Sequence, residues 1–341
     1  MEFRKTALAT AASLLATLSF SHTALAAKTE ISIGHVDSQN WQVSKKGAAT
    51  QVFKNLVEAE SGGDISVKIF PAGQLGGETE LLQSVQEGML GMTIVSGSFS
   101  KVCPEAAVLE VPYLFPSSPV AWEVLDGEFG AKLAEHCLKQ TGLRTLAYGE
   151  TGFRHFTNSK KVIKKPTDLA GMKIRVMPNQ SFIEFMKILN ANATPISAPE
   201  LPAALTTGVI DGQENPVSVI VEKKLYELQD HITLDGHVYS ADFLVINDDL
   251  FQGLSDSDKA IITRASKVAG TVGRAIQQIN SAQGLETLTK NGMQVTTLTS
   301  EELDAFRQAS QPKMISWLST KIDKQWMNSA QQSVESATAN Q

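Results

Sequence analysis

Gly152-Phe153-Arg154, then Asp168-Leu169-Ala170-Gly171-Met172-Lys173-Ile174-Arg175-Val176, then Asp211-Gly212-Gln213-Glu214-Asn215-Pro216 are the segments from which the rest of the chain is best read. In the second, apolar Ile174 and Val176 alternate with Lys173 and Arg175, the period of a strand with one buried face. That spacing sends Arg175 away from the core. A guanidinium presents a rigid fork of donors matching the two oxygens of a carboxylate, which a lysine ammonium does not reproduce. Arg154, two residues after Gly152, reads as part of a turn. Asn215 precedes Pro216, which disfavours helical geometry and presents the amide on extended backbone. Arg175, Arg154 and Asn215 are therefore candidate donors to one anionic group, with Asp211, Gln213 and Glu214 as the framework of their turn.

Outward from these segments, strand-like and helix-like stretches alternate. Ile31 to His35, Ile65 to Phe70 and Met92 to Val95 read as strands. Between the first two, Ala48, Ala49, Val52, Phe53, Leu56 and Val57 recur at helical spacing. Leu81, Leu82 and Val85 mark a second helix, with Gly88 at its end. The same grammar restarts near Thr151, after a strand at Leu143 to Ala147, with Lys173 to Val176 as strand and Ser181 to Leu189 as helix. Tyr239 to Asn247 reads as a long strand, and Asp256 to about Asn291 as a long helix capped by Ser255. Ser333 to Gln341 reads as a frayed polar tail. Such alternation predicts an α/β fold with mainly parallel strands.

The chain has 341 residues and a net charge of −6, with no basic block, so nucleic-acid binding is not expected. Residues 1–26 read as an export signal. Arg4 and Lys5 precede an apolar stretch from Ala7 to Phe20, and Ala24-Leu25-Ala26 supplies a cleavage site. The stretch is shorter than the roughly 20 residues of a membrane span. A mature protein beginning near Ala27 is too long for one ordinary core, and two domains are expected. Cys103 and Cys137 could pair in an oxidising compartment or remain two buried thiols; their spacing is not a zinc motif.

The three opening segments, in this order and spacing, resemble the solute-binding proteins of TRAP transporters, the DctP-type family. Pro71 to Glu78, Pro104 to Ala107 and Val111-Pro112-Tyr113 also look like family segments. The resemblance implies a two-lobed periplasmic binding protein of the type II kind, with a ligand cleft between the lobes and a long helix across both. It places lobe I at 27–151 and 241–281, and lobe II at 152–240 and 282–341. It implies a periplasmic monomer that holds a small carboxylate and hands it to TRAP membrane permease subunits, without a cofactor. It gives Arg175 a bidentate salt bridge to the ligand, with Arg154 and Asn215 in support.

Sialic-acid-binding relatives carry asparagine, glutamate and phenylalanine where this chain has Val36, Ser96 and Ala198, which argues against that ligand. Pro202 stands where many relatives have tyrosine. His35, Trp41, Glu78, Ser96, Phe153 and Tyr239 are the candidates for the far end of the ligand. A C4-dicarboxylate is the first expectation; a uronate or other sugar acid is the alternative, as is a sensor subunit for the same acids. The sequence holds no nucleophile elbow, phosphate-binding glycine loop, dinucleotide fingerprint or His-Glu-x-x-His, so it is not read as an enzyme. Asp256 and Asp258 suit a helix start better than a calcium loop, and Asp248 and Asp249 lack such a loop's alternation.

Overall fold

The computed structural model describes residues 29–341. The expected export signal and its cleavage site lie outside the described residues. The described strands form one mixed sheet: β1 (Thr29–Gly34), β2 (Ile65–Phe70), β3 (Met92–Val95), β4 (Leu143–Asn158), β5 (Lys173–Val176), β6 (Asn192–Pro195), β7 (Gly212–Asn215), β8 (His231–Asn247) and β9 (Gln294–Thr297). Their order is β2-β1-β3-β8-β4-β7-β5-β6, with β9 beside β8. β1 pairs in parallel with β2 and β3, and β5 in parallel with β6 and β7.

Two long antiparallel strands join these parallel groups. Leu143 to Glu150 of β4 runs beside Ala241 to Asn247 of β8 in the first half, and Gly152 to Asn158 beside His231 to Ser240 in the second. The register shifts between Glu150 and Gly152, where Gly152 adopts φ +102°. That positive φ favours glycine, and a Cβ there would also lie 2.4 Å from Gln277 Nε2, so the Gln277 side chain would have to shift. Gly152-Phe153-Arg154 is thus a bulged stretch inside a continuous strand, not the turn expected from its glycine. A bulge accommodates the positive φ without ending the ladder.

The first half carries α1 (Lys45–Glu60), α2 (Glu78–Gln86), α3 (Ser118–Asp126) and α4 (Glu128–Thr141). The second carries α5 (Gln180–Ile188), α6 (Leu201–Thr206) and α7 (Val217–Glu222). α8 (Asp248–Gln252) leads into α9 (Asp256–Lys290), followed by α10 (Ser300–Leu318) and α11 (Lys324–Ala339). Each half has its own apolar centre. Ile31, Ile33, Phe53 and Val57 fill part of one, and Phe156, Ile174, Val176 and Phe185 part of the other.

At 35 residues, α9 is roughly 50 Å long and reaches both halves. The Ser255 side chain caps it by accepting from Asp258 N. Gly273 lies against Ala49 of α1, while a Cβ at Gly284 would meet Val217 Cγ1 of α7 at 2.5 Å. Ser333 to Ala339, expected to be part of a frayed tail, is the end of α11, on which Met327, Ala330, Val334 and Ala337 recur every three or four residues and are buried. They join the core of the first half, on α3 and α4, whereas the resemblance places 282–341 in lobe II.

Cys103 and Cys137 form a disulfide with Cα atoms 5.5 Å apart. It ties the loop before Pro104 to α4 and closes a 34-residue separation. Replacing both by alanine is expected to lower the unfolding free energy by about 2–4 kcal/mol in urea titrations. A change below about 0.5 kcal/mol would show that the cross-link does not constrain the unfolded chain.

Candidate functional site

A cavity lies where the two halves face each other, and both Arg175 and Arg154 line it. On β5, Ile174 and Val176 enter the core of the second half, and Arg175 takes the opposite side. Arg175 is 2% exposed, and its Nε donates to Ile196 O at 2.8 Å. Among the described residues no carboxylate forms an ion pair with it. Both terminal nitrogens are left for the cavity. Burial pushes its pKa down to about 10, against the longer-range attraction of Glu214, so it keeps its charge at neutral pH. A buried cation without an opposing charge is costly, and an incoming anion offsets that cost.

Arg154 is held differently. Its Nε donates to Glu214 Oε2, and its Nη2 to Glu214 Oε1 at 2.9 Å, Glu214 O at 2.7 Å and Asn215 Oδ1 at 3.1 Å. Glu214 is in turn met by His237 Nε2 at 3.3 Å, and His237 Nδ1 by Asp235 Oδ2 at 2.8 Å. Burial would push the Glu214 carboxyl up, yet Arg154 and His237 hold it below the usual range. Burial likewise opposes the charge on His237, but Asp235 and Glu214 raise its pKa. These groups fix Arg154 in place and leave its Nη1 unspent. Asn215 donates to Gln213 Oε1, which leaves its second amide hydrogen for the cavity.

The first half contributes alternating charges that the sequence reading missed. Lys45 and Lys46 open α1 and are almost fully buried. Lys45 pairs with Asp37 at 2.8 Å, and Lys46 with Glu78 at 2.7 Å and Asp242 at 3.4 Å. Glu78 also accepts from Ser96 N at 3.0 Å and Ser96 Oγ at 3.2 Å. Burial disfavours both charges, but the Lys46 ammonium holds Glu78 low, and Asp242 and Glu78 raise Lys46. The signal was present. Two lysines in the first turn of a helix oppose its dipole and need anions nearby.

Of the residues singled out in the sequence, Arg175, Arg154, Asn215, Glu78 and Ser96 meet at the cavity. Val36 and Ala198 also line it, and Leu201 rather than Pro202 completes the wall. His35, Trp41, Phe153 and Tyr239 do not line it. His35 is buried and bonds Gln39 at 3.1 Å, and Trp41 is 56% exposed. Phe153 and Tyr239 pack edge to face with each other, and Tyr239 also against Phe115. Phe153 precedes Arg154 on β4, so strand alternation turns it away from the cavity. Asp248 pairs with Arg144 at 2.6 Å, and Asp256 and Asp258 occupy the first turn of α9.

Two α/β halves around a cationic cleft, joined by long strands and one long helix, define a two-lobed binding protein. A family model for bacterial extracellular solute-binding proteins of family 7, DctP, matches residues 34–320. The chain is 32% identical over 279 residues to the 2,3-diketo-L-gulonate-binding periplasmic protein YiaO of Escherichia coli strain K12, covering 82% of this chain and 84% of that protein. The structure of the sugar acid binding protein DctPAm from Advenella mimigardefordensis strain DPN7T, in complex with galactonate, matches with a TM-score of 0.86. Identity there is 34%, over 90% of this chain and 98% of that one. A TRAP periplasmic solute-binding protein from Sulfurospirillum deleyianum DSM 6946 with bound succinate matches with a TM-score of 0.83 and 26% identity, over 91% of this chain and 99% of that one. The chain belongs to the DctP family of TRAP transporter solute-binding proteins, a family of transport receptors and not of enzymes.

Because Glu214 is buried against Arg154, removing it leaves a buried charge unpaired. Glu214→Ala is expected to cost about 3–5 kcal/mol of stability in chemical denaturation. A loss under about 1 kcal/mol would mean that Arg154 finds another partner.

Proposed function

We propose that this protein is a periplasmic receptor that captures a small carboxylate between its lobes and delivers it to a TRAP membrane permease. The observation that carries the reading is Arg175, a buried arginine facing the cleft with no carboxylate paired to it among the described residues. The ligand carboxylate takes that place, bidentate on the two terminal nitrogens, with Arg154 and Asn215 supplying further donors. Closure of the lobes then brings in the first-half wall and expels water. The protein binds and releases, and no step of its work makes or breaks a covalent bond.

The first-half wall favours a polyhydroxy monoacid over the C4-dicarboxylate expected from the sequence. A second carboxylate there would face Glu78 and Asp37, both of which are ionised and already paired with Lys46 and Lys45. Hydroxyl groups suit the same wall better, since each can donate to a carboxylate and accept from an ammonium. Two of the relatives described above, YiaO and DctPAm, are named for sugar acids, and one solved relative holds succinate.

A thermal-shift panel of D-galactonate, D-erythronate, galacturonate and succinate tests the class, because a ligand of the folded state raises Tm by mass action. Shifts are expected from the hydroxylated acids. A shift with succinate alone would overturn the hydroxyl argument.

Loss of the guanidinium is expected to weaken binding of the best acid by roughly 10–100-fold, from about 1.5–3 kcal/mol for a charge-assisted contact. Arg175→Ala and Arg175→Lys are both expected to show this loss in calorimetry, since lysine keeps the charge without the fork. Affinity within threefold of wild type for Arg175→Ala would contradict the clamp.

A further inference from the structure

Beside the cavity, one buried contact joins the two halves and takes no part in holding the ligand. Asn179 caps α5 in the second half, with its Oδ1 accepting from Ser181 N at 2.7 Å. Its Nδ2 reaches across to the first half, to Gly97 O at 2.6 Å, Glu110 Oε1 at 2.7 Å and Ser100 Oγ at 3.0 Å. The approach is close enough that a Cβ on Gly97 would lie 2.9 Å from both Glu110 Oε1 and Met177 Sδ. Ser96 and Ser98 on one side, and Met177 and Pro178 on the other, line the ligand cavity next to this contact. A separation of the halves that opens this side of the cavity breaks it.

Glu110 is 6% exposed, yet among the described residues no cation is bonded to it. Its hydrogen-bond partners are the Asn179 amide and the Ser100 hydroxyl, whose Oγ is 3.4 Å from Glu110 Oε2. Ser181 of α5 also acts on it, and the charged group that faces it is Arg154 of β4. That guanidinium is already engaged by Glu214. A buried carboxylate with neutral donors alone is costly, whereas a neutral carboxyl is not.

We propose, resting on the receptor reading above, that the Glu110–Asn179 contact is a proton-linked latch, so that closure over the ligand takes up one proton at Glu110. In the closed form the protonated Oε2 donates to Ser100 Oγ, which passes its own hydrogen to Gly97 O at 2.9 Å. In the open form the carboxyl meets water and releases the proton. Burial accounts for the difference: it pushes Glu110 from its ordinary 4.5 up to about 7, against Ser181, Asn179, Ser100 and the field of Arg154. An arriving ligand carboxylate offsets that field and raises the proton's hold further.

The sign follows from the raised pKa in the closed form. Closure is helped most below the open-form pKa, and the help is lost as pH rises through about 7. Between these limits affinity falls by about tenfold per pH unit. The test is calorimetry at pH 6 in buffers of different ionisation enthalpy, using whichever of D-galactonate, D-erythronate, galacturonate and succinate binds most tightly. Wild type is expected to take up close to one proton per acid bound. Glu110→Gln, which imitates the neutral carboxyl, is expected to take up about one proton fewer and to bind with a Kd nearly constant from pH 5.5 to 6.5. The latch is overturned by equal uptake in wild type and Glu110→Gln. It is also overturned by no uptake in wild type, a result that stands even if the variant does not fold. Binding of an acid without proton uptake sinks the latch alone, and failure of every acid to bind sinks the receptor reading and the latch with it.

Discussion

The arrangement of this molecule turns on one unmatched charge. Burying a guanidinium without a counter-ion costs several kcal/mol, and a protein normally avoids it by supplying a carboxylate. The neighbouring Arg154 shows that supply in full, with Glu214 against it and His237 and Asp235 behind. Arg175, two strands away on β5, has among the described residues a backbone carbonyl, Ile196 O, and no carboxylate against it. The contrast between two buried arginines in one cavity is what gives the cavity a preference: one is furnished, and the other awaits an anion.

The scaffold makes that arrangement possible. Short parallel strands end at the cleft and deliver side chains there, while β4 and β8 run through both halves and carry the register shifts near Gly152 and Arg154. α9 lies along both halves at Gly273 and Gly284, where the missing side chains allow close packing. Residues from distant parts of the chain thereby meet: Lys46 from the start of α1, Glu78 from the start of α2, Asp242 from β8 and Arg175 from β5. The pairing of opposite charges on the first-half wall keeps it polar without a net pull on a second carboxylate. That is the physical ground for preferring hydroxyl groups at that end of the ligand.

Much of this was legible in the sequence where a local period decides the matter. The alternation at Lys173 to Val176 gave β5 and the side on which Arg175 stands, and Ser255 with the following apolar spacing gave α9. Sites that depend on distant partners were harder to read. Strand pairing decides which face Phe153 of β4 and Tyr239 of β8 take, loop geometry after β1 decides where His35 and Trp41 go, and none of the four lines the cavity. Gly152 suggests a turn, yet a glycine serves a bulge as well as a turn, and its φ of +102° belongs to a bulge. Small polar neighbours around Val334 and Ala337 hid the helical spacing that continues from Met327 and Ala330, so Ser333 to Gln341 reads as a frayed tail although most of it belongs to α11. Cys103 and Cys137 could be paired only once their Cα atoms were placed.

The most direct measurement of the central claim is a crystal structure of the protein with a sugar acid such as D-galactonate diffused in. The account predicts the acid's carboxylate in the plane of the Arg175 guanidinium, with both oxygens on its terminal nitrogens at about 2.7–2.9 Å, and its hydroxyls turned toward Glu78 and Asp37. A carboxylate seated instead on Lys45 or Lys46, with Arg175 left facing water or a hydroxyl, would contradict it.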